Sequence, residues 1–512
     1  MATLSSHTPI IIGIGEIRQR DFTIETCSEP AELISSAIRG AFQDSGIDSI
    51  EKLDSISVVP PWSWNYDDLP KLLAQRLDIQ PSHLELSKHG GNTPALLCDK
   101  AAARIASGKS KMAVVTGGEA LASLFACQKA RRIPPPGWTA VDPNAKRYSP
   151  GDTSLKQGAG ATHSIGNPIQ VYPLYENAYR KQNQQSYVEN HNESAELYFQ
   201  FDKIACQHPN SWRVGETRRS LEEIKTVSKR NRMICTPYPL LMNAFNGVNL
   251  AAACIITSTE YATELGVPRE KWVYITGGAG SNDSQDFWER KDYHSSPAIE
   301  YSIDNALKAA GLAKDEIDCF DFYSCFPIVP KIACKHVGLD LLDPKKPITL
   351  LGGLTSFGGA GNNYSLHAIA EMVRVMRNGR YQNGLVLANG GVLSWQHAIC
   401  LSAQPKRNGS PYQVQNVLDN GQKSQGPAFT SKAQGKAVIE TYTVDHDRSG
   451  PKLGHIVGRL IETGERFIAN HGDEMTLSAL VSTSTEPIGM KGFVKVGSEG
   501  RNLFTVGPPV KL

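Results

Sequence analysis

Paired cysteines are missing from this sequence. Its ten cysteines run from Cys27 to Cys400 without one Cys-x-x-Cys, and no Cys/His group has zinc spacing. That argues against a disulfide scaffold or a zinc site and for buried free thiols in a reducing compartment. An excess of one charge is missing too: 53 basic and 51 acidic residues leave +2 at pH 7. With no arginine-rich arm or basic stripe carrying aromatics, no nucleic-acid partner is implied. No stretch approaches the ~18 apolar residues of a membrane span. The N-terminal "MATLSSHTPIIIGIGEIRQR" has too short an apolar run for a secretion signal and no basic stretch before it. "GIGEIRQR" lacks the third glycine of a dinucleotide fingerprint, and no Gly-x-x-x-x-Gly-Lys-Ser/Thr loop occurs. No metal and no resident cofactor is therefore expected. The C-terminal Val-Lys-Leu shares two residues with a peroxisomal Ser-Lys-Leu address, but Val510 is a poor first residue for it. The expected location is cytoplasmic, with the peroxisome as the alternative.

What the chain has is a core-forming balance, 40% hydrophobic and 20% charged over 512 residues, enough for two or three domains. "TPIIIGIGE" reads as a strand, "PAELISSAIRGAFQDSG" as a helix closed by Gly46, and "LDSISVVP" as a strand. "PALLCDKAAARIASG" and "KMAVVTGGEA" continue the alternation as helix and strand. Strands alternating with helices predict an α/β sheet covered by helices. From about Ser123 to Arg230 the rhythm breaks into loops and two helices, "VYPLYENAYRKQNQQ" and "ESAELYFQFDKIACQHP", which reads as an inserted cap. The alternation resumes at "NGVNLAAACIITS". It continues through "KWVYITGGAG", "AIEYSIDNALKAAGL" and "IDCFDFYSCFP". After about Arg407 a polar linker precedes short strand-like runs, which predict a small all-β domain.

"GGNTPALLCDKAAARIASGKSKMAVVTGGEA" and "GGAGNNYSLHAIAEMVRVMRNGRYQNGLVLANGGV" share one plan: glycine turn, helix, linker, buried strand, Gly-Gly. This points to an internal duplication. A buried helix start leaves its N–H groups unpaired and carries partial positive charge, which favours a thiolate, an oxyanion or a carbonyl oxygen. Glycines there let a substrate approach the backbone closely. Two such ends meeting centrally would make a site for acyl chemistry.

With these residues the sequence resembles the thiolase superfamily over nearly its whole length. "GGLTSFGGAGNN", "ANGG" and "DFYSCFP" fall where thiolases carry catalytic motifs. "AVIETYTVDHDRSG" and "GRLIETGERFIAN" resemble the extra domain of acetyl-CoA acetyltransferase-like proteins, and "NPIQVYPLYENAYR" fits that subgroup's helical loop region. The resemblance implies a duplicated thiolase-like αβαβα layered core. Its first half would span 1–122 and 231–265 and its second 266–407, with an inserted loop region at 123–230 and a linker plus additional all-β domain at 408–512. Aligned on the family's motifs, His89 stands where the nucleophilic cysteine belongs and Gly359 where a histidine belongs. Ala388 occupies the slot of a second cysteine, followed by Asn389. The His-Asp-Cys-Phe motif of sterol-carrier thiolases reads Tyr323-Ser324-Cys325-Phe326, which keeps the cysteine.

The expectation that follows is an acyltransferase of lipid metabolism acting on a coenzyme A thioester, with Cys325 as nucleophile or acid/base and His89 as its base. Asn389 would orient a water or the substrate, and Tyr323 and Ser324 would donate to a carbonyl oxygen. Backbone N–H groups at Gly358 and Gly359 would form an oxyanion hole. The alternative is a carrier that binds acyl-CoA or a lipid without chemistry, in which His89 is a polar residue at a helix start and Cys325 an inert thiol. Thiolases pair through the strand before the first turn, here "LELSK", so a homodimer is admitted by the resemblance.

Overall fold

The computed structural model describes residues 6–141, 158–407, 409–413, 418–419 and 426–507. The Val-Lys-Leu terminus and parts of the expected linker lie outside them. The core strands of the first half are β1 (Pro9–Arg18), β2 (Ser55–Val59), β3 (His83–Leu86) and β4 (Met112–Ala120). Two short strands, β5 (Met233–Cys235) and β6 (Tyr238–Pro239), precede β7 (Asn249–Ser258), which completes the first half. The second half holds β8 (Val273–Asn282), β9 (Cys319–Phe322), β10 (Asn383–Gly390) and β11 (Trp395–Ser402), with the short β12 (Leu418–Asp419) alongside β8. The sheet order is β3-β2-β4-β7-β1-β8-β11-β10-β9.

That order contains the duplication. The run β2-β4-β7-β1 is parallel, antiparallel, antiparallel, and β9-β10-β11-β8 repeats the same sequence of directions. The halves join where Ile10 and Ile11 of β1 meet Tyr274 and Val273 of β8. Each half also seats its outer helix on glycine. A Cβ at Gly15 would lie 2.0 Å from the Ala37 carbonyl oxygen of helix Pro30–Ser45. One at Gly277 would lie 2.5 Å from the Ala310 nitrogen of helix Pro297–Ala310. The first helix ends as its sequence predicts, on left-handed Gly46, and its counterpart ends the same way on Gly311.

Two helices, Thr93–Ala106 and Tyr364–Arg377, form the middle layer and touch strands of both halves. Leu97, Cys98, Ala101, Ala102 and Ile105 on the first are fully buried, as are Leu366, Ile369, Met372 and Val373 on the second. At about 1.5–3 kcal/mol per large buried side chain, packing rather than intrinsic propensity holds this layer. Outside it, β3 is the edge strand, with Leu84 and Leu86 exposed and Glu85 bonded to Lys100 at 2.6 Å.

The C-terminal region comprises β13 (Gly435–His446), β14 (Pro451–Leu460), β15 (Arg466–His471), β16 (Lys491–Val496) and β17 (Asn502–Val506). The order β14-β15-β17-β16-β13, closed by the β13–β14 pairing, makes a barrel around Tyr442, Val444, Ile456, Phe467 and Phe504. Two features depart from the sequence expectation. The barrel carries one helix, Glu474–Leu480, capped by Asp473. Residues 233–239, assigned by sequence to the first core half, instead extend the barrel sheet, with Cys235 opposite Asp445.

Candidate functional site

The two glycine turns converge, each against the opposite half. A Cβ on Gly91 would lie 2.5 Å from the Asn389 carbonyl oxygen and 2.6 Å from the Tyr323 hydroxyl, so only glycine lets these groups meet. The Asn363 amide in the second turn donates to the Gly117 carbonyl at 2.7 Å. The Gly-Gly strand end of each half thus abuts the helix start of the other.

Cys325 follows β9 and is buried. Asn389 Nδ2 lies 3.7 Å from its sulfur and donates at 2.7 Å to the Tyr172 hydroxyl, while Asn389 Oδ1 accepts from Gln396 at 2.7 Å. Burial pushes the Cys325 thiol up to about 12, against the lowering influence of the Tyr172 hydroxyl, nearby N–H groups and Asn389. Tyr323 is buried, its phenol pushed well above its ordinary range by burial, and its ring meets Tyr364 edge-on at 5.6 Å. The Ser324 carbonyl accepts from Tyr198 at 3.0 Å, and its buried hydroxyl has no hydrogen-bond partner.

His89 is partly buried. Its ring stacks on Trp62 at 5.7 Å, and Asn362 Nδ2 meets its Nδ1 at 3.2 Å. Burial lowers the imidazole to about 4, so it is neutral at physiological pH. Tyr323 and Asn389 meet the turn that follows His89, and Asn389 also reaches Cys325.

The expected oxyanion hole at the second turn does not form at Gly359. Its N–H already donates to the Phe245 carbonyl at 2.7 Å, and a Cβ there would lie 2.5 Å from Asn246 Oδ1. Gly358, left-handed at φ +117, packs on Val248 and Leu250. Both glycines serve the packing of a π-helical turn, Leu354–Gly358, against the segment leading into β7.

Sequence reading missed two contributors. Tyr172 comes from the inserted helix Pro168–Gln182 and stacks on Phe326 at 4.6 Å, so the insertion supplies part of the Cys325 niche. The aromatic spacing of "VYPLYENAY" was the available signal. Glu119, at the end of β4, is fully buried and accepts from the N–H groups of Trp62 (2.7 Å), Ser63 (3.1 Å) and Ala120 (2.9 Å). Burial raises its carboxyl while these donors oppose the rise. It fixes the loop whose Trp62 stacks on His89, and the glutamate after "VVTGG" in a buried strand was the clue. His367 and His397 are core residues, paired with Glu16 at 2.7 Å and Asp99 at 3.0 Å.

A family model described as the thiolase-like protein type 1 additional C-terminal domain matches residues 413–499, which include most of the barrel. The crystal structure of a monomeric SCP2-thiolase-like protein type 1 from Mycobacterium smegmatis is 32% identical, with a TM-score of 0.82, over 99% of this chain and 100% of that one. The chain belongs to the type 1 SCP2-thiolase-like proteins. Two more distant structures share the thiolase-like fold of this family member. An Ltp2-ChsH2(DUF35) aldolase is 18% identical over 77% of this chain and 98% of its own, with TM-score 0.60. An acetyl-CoA acetyltransferase from Syntrophomonas wolfei is 15% identical over 78% of this chain and 99% of its own, with TM-score 0.55. A search of curated proteins gives no match. Among the described residues of this type 1 protein, no helix is long and apolar enough to cross a membrane.

Proposed function

We propose that this protein binds an acyl-CoA thioester where the two glycine turns meet, and that Cys325 acts there as acid/base at the carbon beside the thioester carbonyl. The observation carrying this reading is the Cys325 niche: a buried thiol held by Asn389 and placed at about 12. At pH 7 such a group is held as the thiol, which suits a proton donor to an enolate better than a nucleophile. Acyl transfer through Cys325 with His89 as base calls for a thiolate–imidazolium pair, and burial moves both groups away from those charged forms. Two proteins of the same fold, an acetyltransferase and an aldolase, lend analogy only.

The test is exchange of the acetyl-CoA methyl protons in D₂O, followed by mass spectrometry. The enzyme reading expects exchange that rises with pH well beyond 8, since thiolate is the base, and that falls at least 100-fold in Cys325→Ala. A stable acetyl adduct on Cys325 would restore the transferase reading. Saturable acetyl-CoA binding with neither exchange nor adduct would leave the carrier, a reading favoured by the unsuited His89–Cys325 charge states.

A further inference from the structure

We propose that this protein holds a small organic monocarboxylate on Lys406, in a cleft at the end of the core sheet remote from Cys325. The cleft lies where the two halves join. Pro9 at the start of β1 lines it with Tyr274 and Thr276 of β8, and Gln404, Lys406 and Tyr412 line it from the segment that leaves β11. Its volume is about 360 Å³, within the ~300–1,000 Å³ of small-molecule pockets. Strand β11 separates it from the glycine turns. The Trp395 ring at one end of that strand lies 3.2 Å from a Cβ built on Gly90, and Ser402 at the other end leads into the cleft. At ~3.3 Å per residue the two ends are about 23 Å apart.

Charge selects the ligand. Lys406 is partly buried, and its ammonium stands over the Tyr412 ring at 5.5 Å. Tyr412 is a fixed wall, because its hydroxyl donates to the buried Asp99 at 2.6 Å. Among the described residues no carboxylate pairs with Lys406. Burial lowers its pKa, opposed only by the Cys400 thiol, which burial itself pushes up to about 12. Arg407 also lines the cleft, but it is paired with Glu316 at 2.6 Å and adds no net charge. One uncompensated positive charge in a partly dry cleft calls for one negative charge, and a dianion would leave an excess. A second cavity of about 180 Å³ shares Thr276, Lys406 and Arg407 with the first, but it includes Gly311 at the carbonyl end of helix Pro297–Ala310. That end disfavours an anion, so the carboxylate sits in the larger chamber. Pro9, Tyr274 and Tyr412 offer ring faces there, so the body attached to the carboxylate is apolar. This placement is independent of the thioester reading.

The experiment is calorimetric titration of the full-length protein with benzoate, phenylacetate and hexanoate, and with phenylacetamide and inorganic phosphate for comparison. At least one of the three carboxylates should bind saturably, and phenylacetamide and phosphate should bind at least about tenfold more weakly than it does. Lys406→Met should weaken that carboxylate at least about tenfold without lowering the thermal midpoint. The wild type supplies a second readout. The bound carboxylate should slow acetylation of Lys406 by acetic anhydride, followed by peptide mass mapping, while leaving the exposed Lys436 unaffected. Failure of all three carboxylates to bind, unchanged binding in Lys406→Met, tighter binding of phosphate, or equal labelling of Lys406 with and without the carboxylate would each overturn the proposal. Displacement of the carboxylate by acetyl-CoA would do the same, because it would put the ligand at the glycine turns.

Discussion

Glu16 sits on β1 with its carboxylate almost fully enclosed between His367 at 2.7 Å, Arg374 at 2.7 Å and the Asn210 amide at 2.7 Å. Burial pushes this carboxyl up, but the hydrogen bonds and charges of His367 and Arg374 outweigh it and hold the group at about 2. An unfolded glutamate titrates near ~4.3. A folded value below the unfolded one means the stabilisation is complete above about pH 4.5 and is lost as pH falls toward 2, a contribution on the order of 3 kcal/mol. Glu16→Gln should therefore lower the urea midpoint at pH 7 by an amount equivalent to about 3 kcal/mol, because it removes the carboxylate that His367, Arg374 and Asn210 share. The difference from wild type should narrow steadily between pH 4.5 and 3. A gap independent of pH in that window would mean the carboxylate is not ionised through the ion pair.

Among the elements, the glycine turns carry different burdens, and substitution separates them. Gly46 ends its helix at φ +76 with nothing within 4 Å of a Cβ, so Gly46→Ala pays only backbone strain of about 1 kcal/mol. Gly91 has no left-handed backbone to protect, but a Cβ there would strike the Asn389 carbonyl oxygen and the Tyr323 hydroxyl. Gly91→Ala should cost about 1–3 kcal/mol in thermal unfolding and also weaken acetyl-CoA binding, whereas Gly46→Ala should leave binding intact. Equal binding by both variants would detach the first turn from the ligand. The same contrast explains what was legible in the sequence. Helices Pro30–Ser45 and Pro297–Ala310 were readable because their periodicity and their capping glycines are local signals. The duplication was readable because two glycine turns and two Gly-Gly strand ends repeat at similar spacing, and the family resemblance placed Cys325, Tyr323 and Asn389 in one region. Tyr172 and Glu119 left only a local hint of their roles and the barrel strand Met233–Cys235 left none, because each is fixed by partners brought in from distant sequence: Asn389, Trp62 and Asp445. The Gly359 expectation failed for the same reason. Nothing local shows that its N–H is taken by the Phe245 carbonyl.

Across the whole molecule, the barrel and the catalytic-like core are interlocked. Arg466 on β15 is fully buried, donates to Glu440 at 2.6 Å and 2.9 Å, and also reaches the carbonyls of Trp288 (3.0 Å), Arg290 and Lys291 (3.1 Å) in the second core half. On its other side the barrel grips the inserted helix. Thr441 donates to the Leu174 carbonyl at 2.6 Å, and Asn177 donates to the Tyr442 carbonyl at 2.9 Å. That helix carries Tyr172 to Cys325, so the barrel's grip is continuous with the site. Arg466→Ala would leave three core carbonyls and the Glu440 carboxylate without their shared donor, which should cost about 3–5 kcal/mol. The interlock predicts that calorimetry will show one unfolding transition, shifted down as a unit. A barrel that merely rides on the core would instead give two transitions, with only the barrel's displaced. In that case Tyr172 would have to be held by the core alone, and the acetyl-CoA affinity of Arg466→Ala should equal that of the wild type.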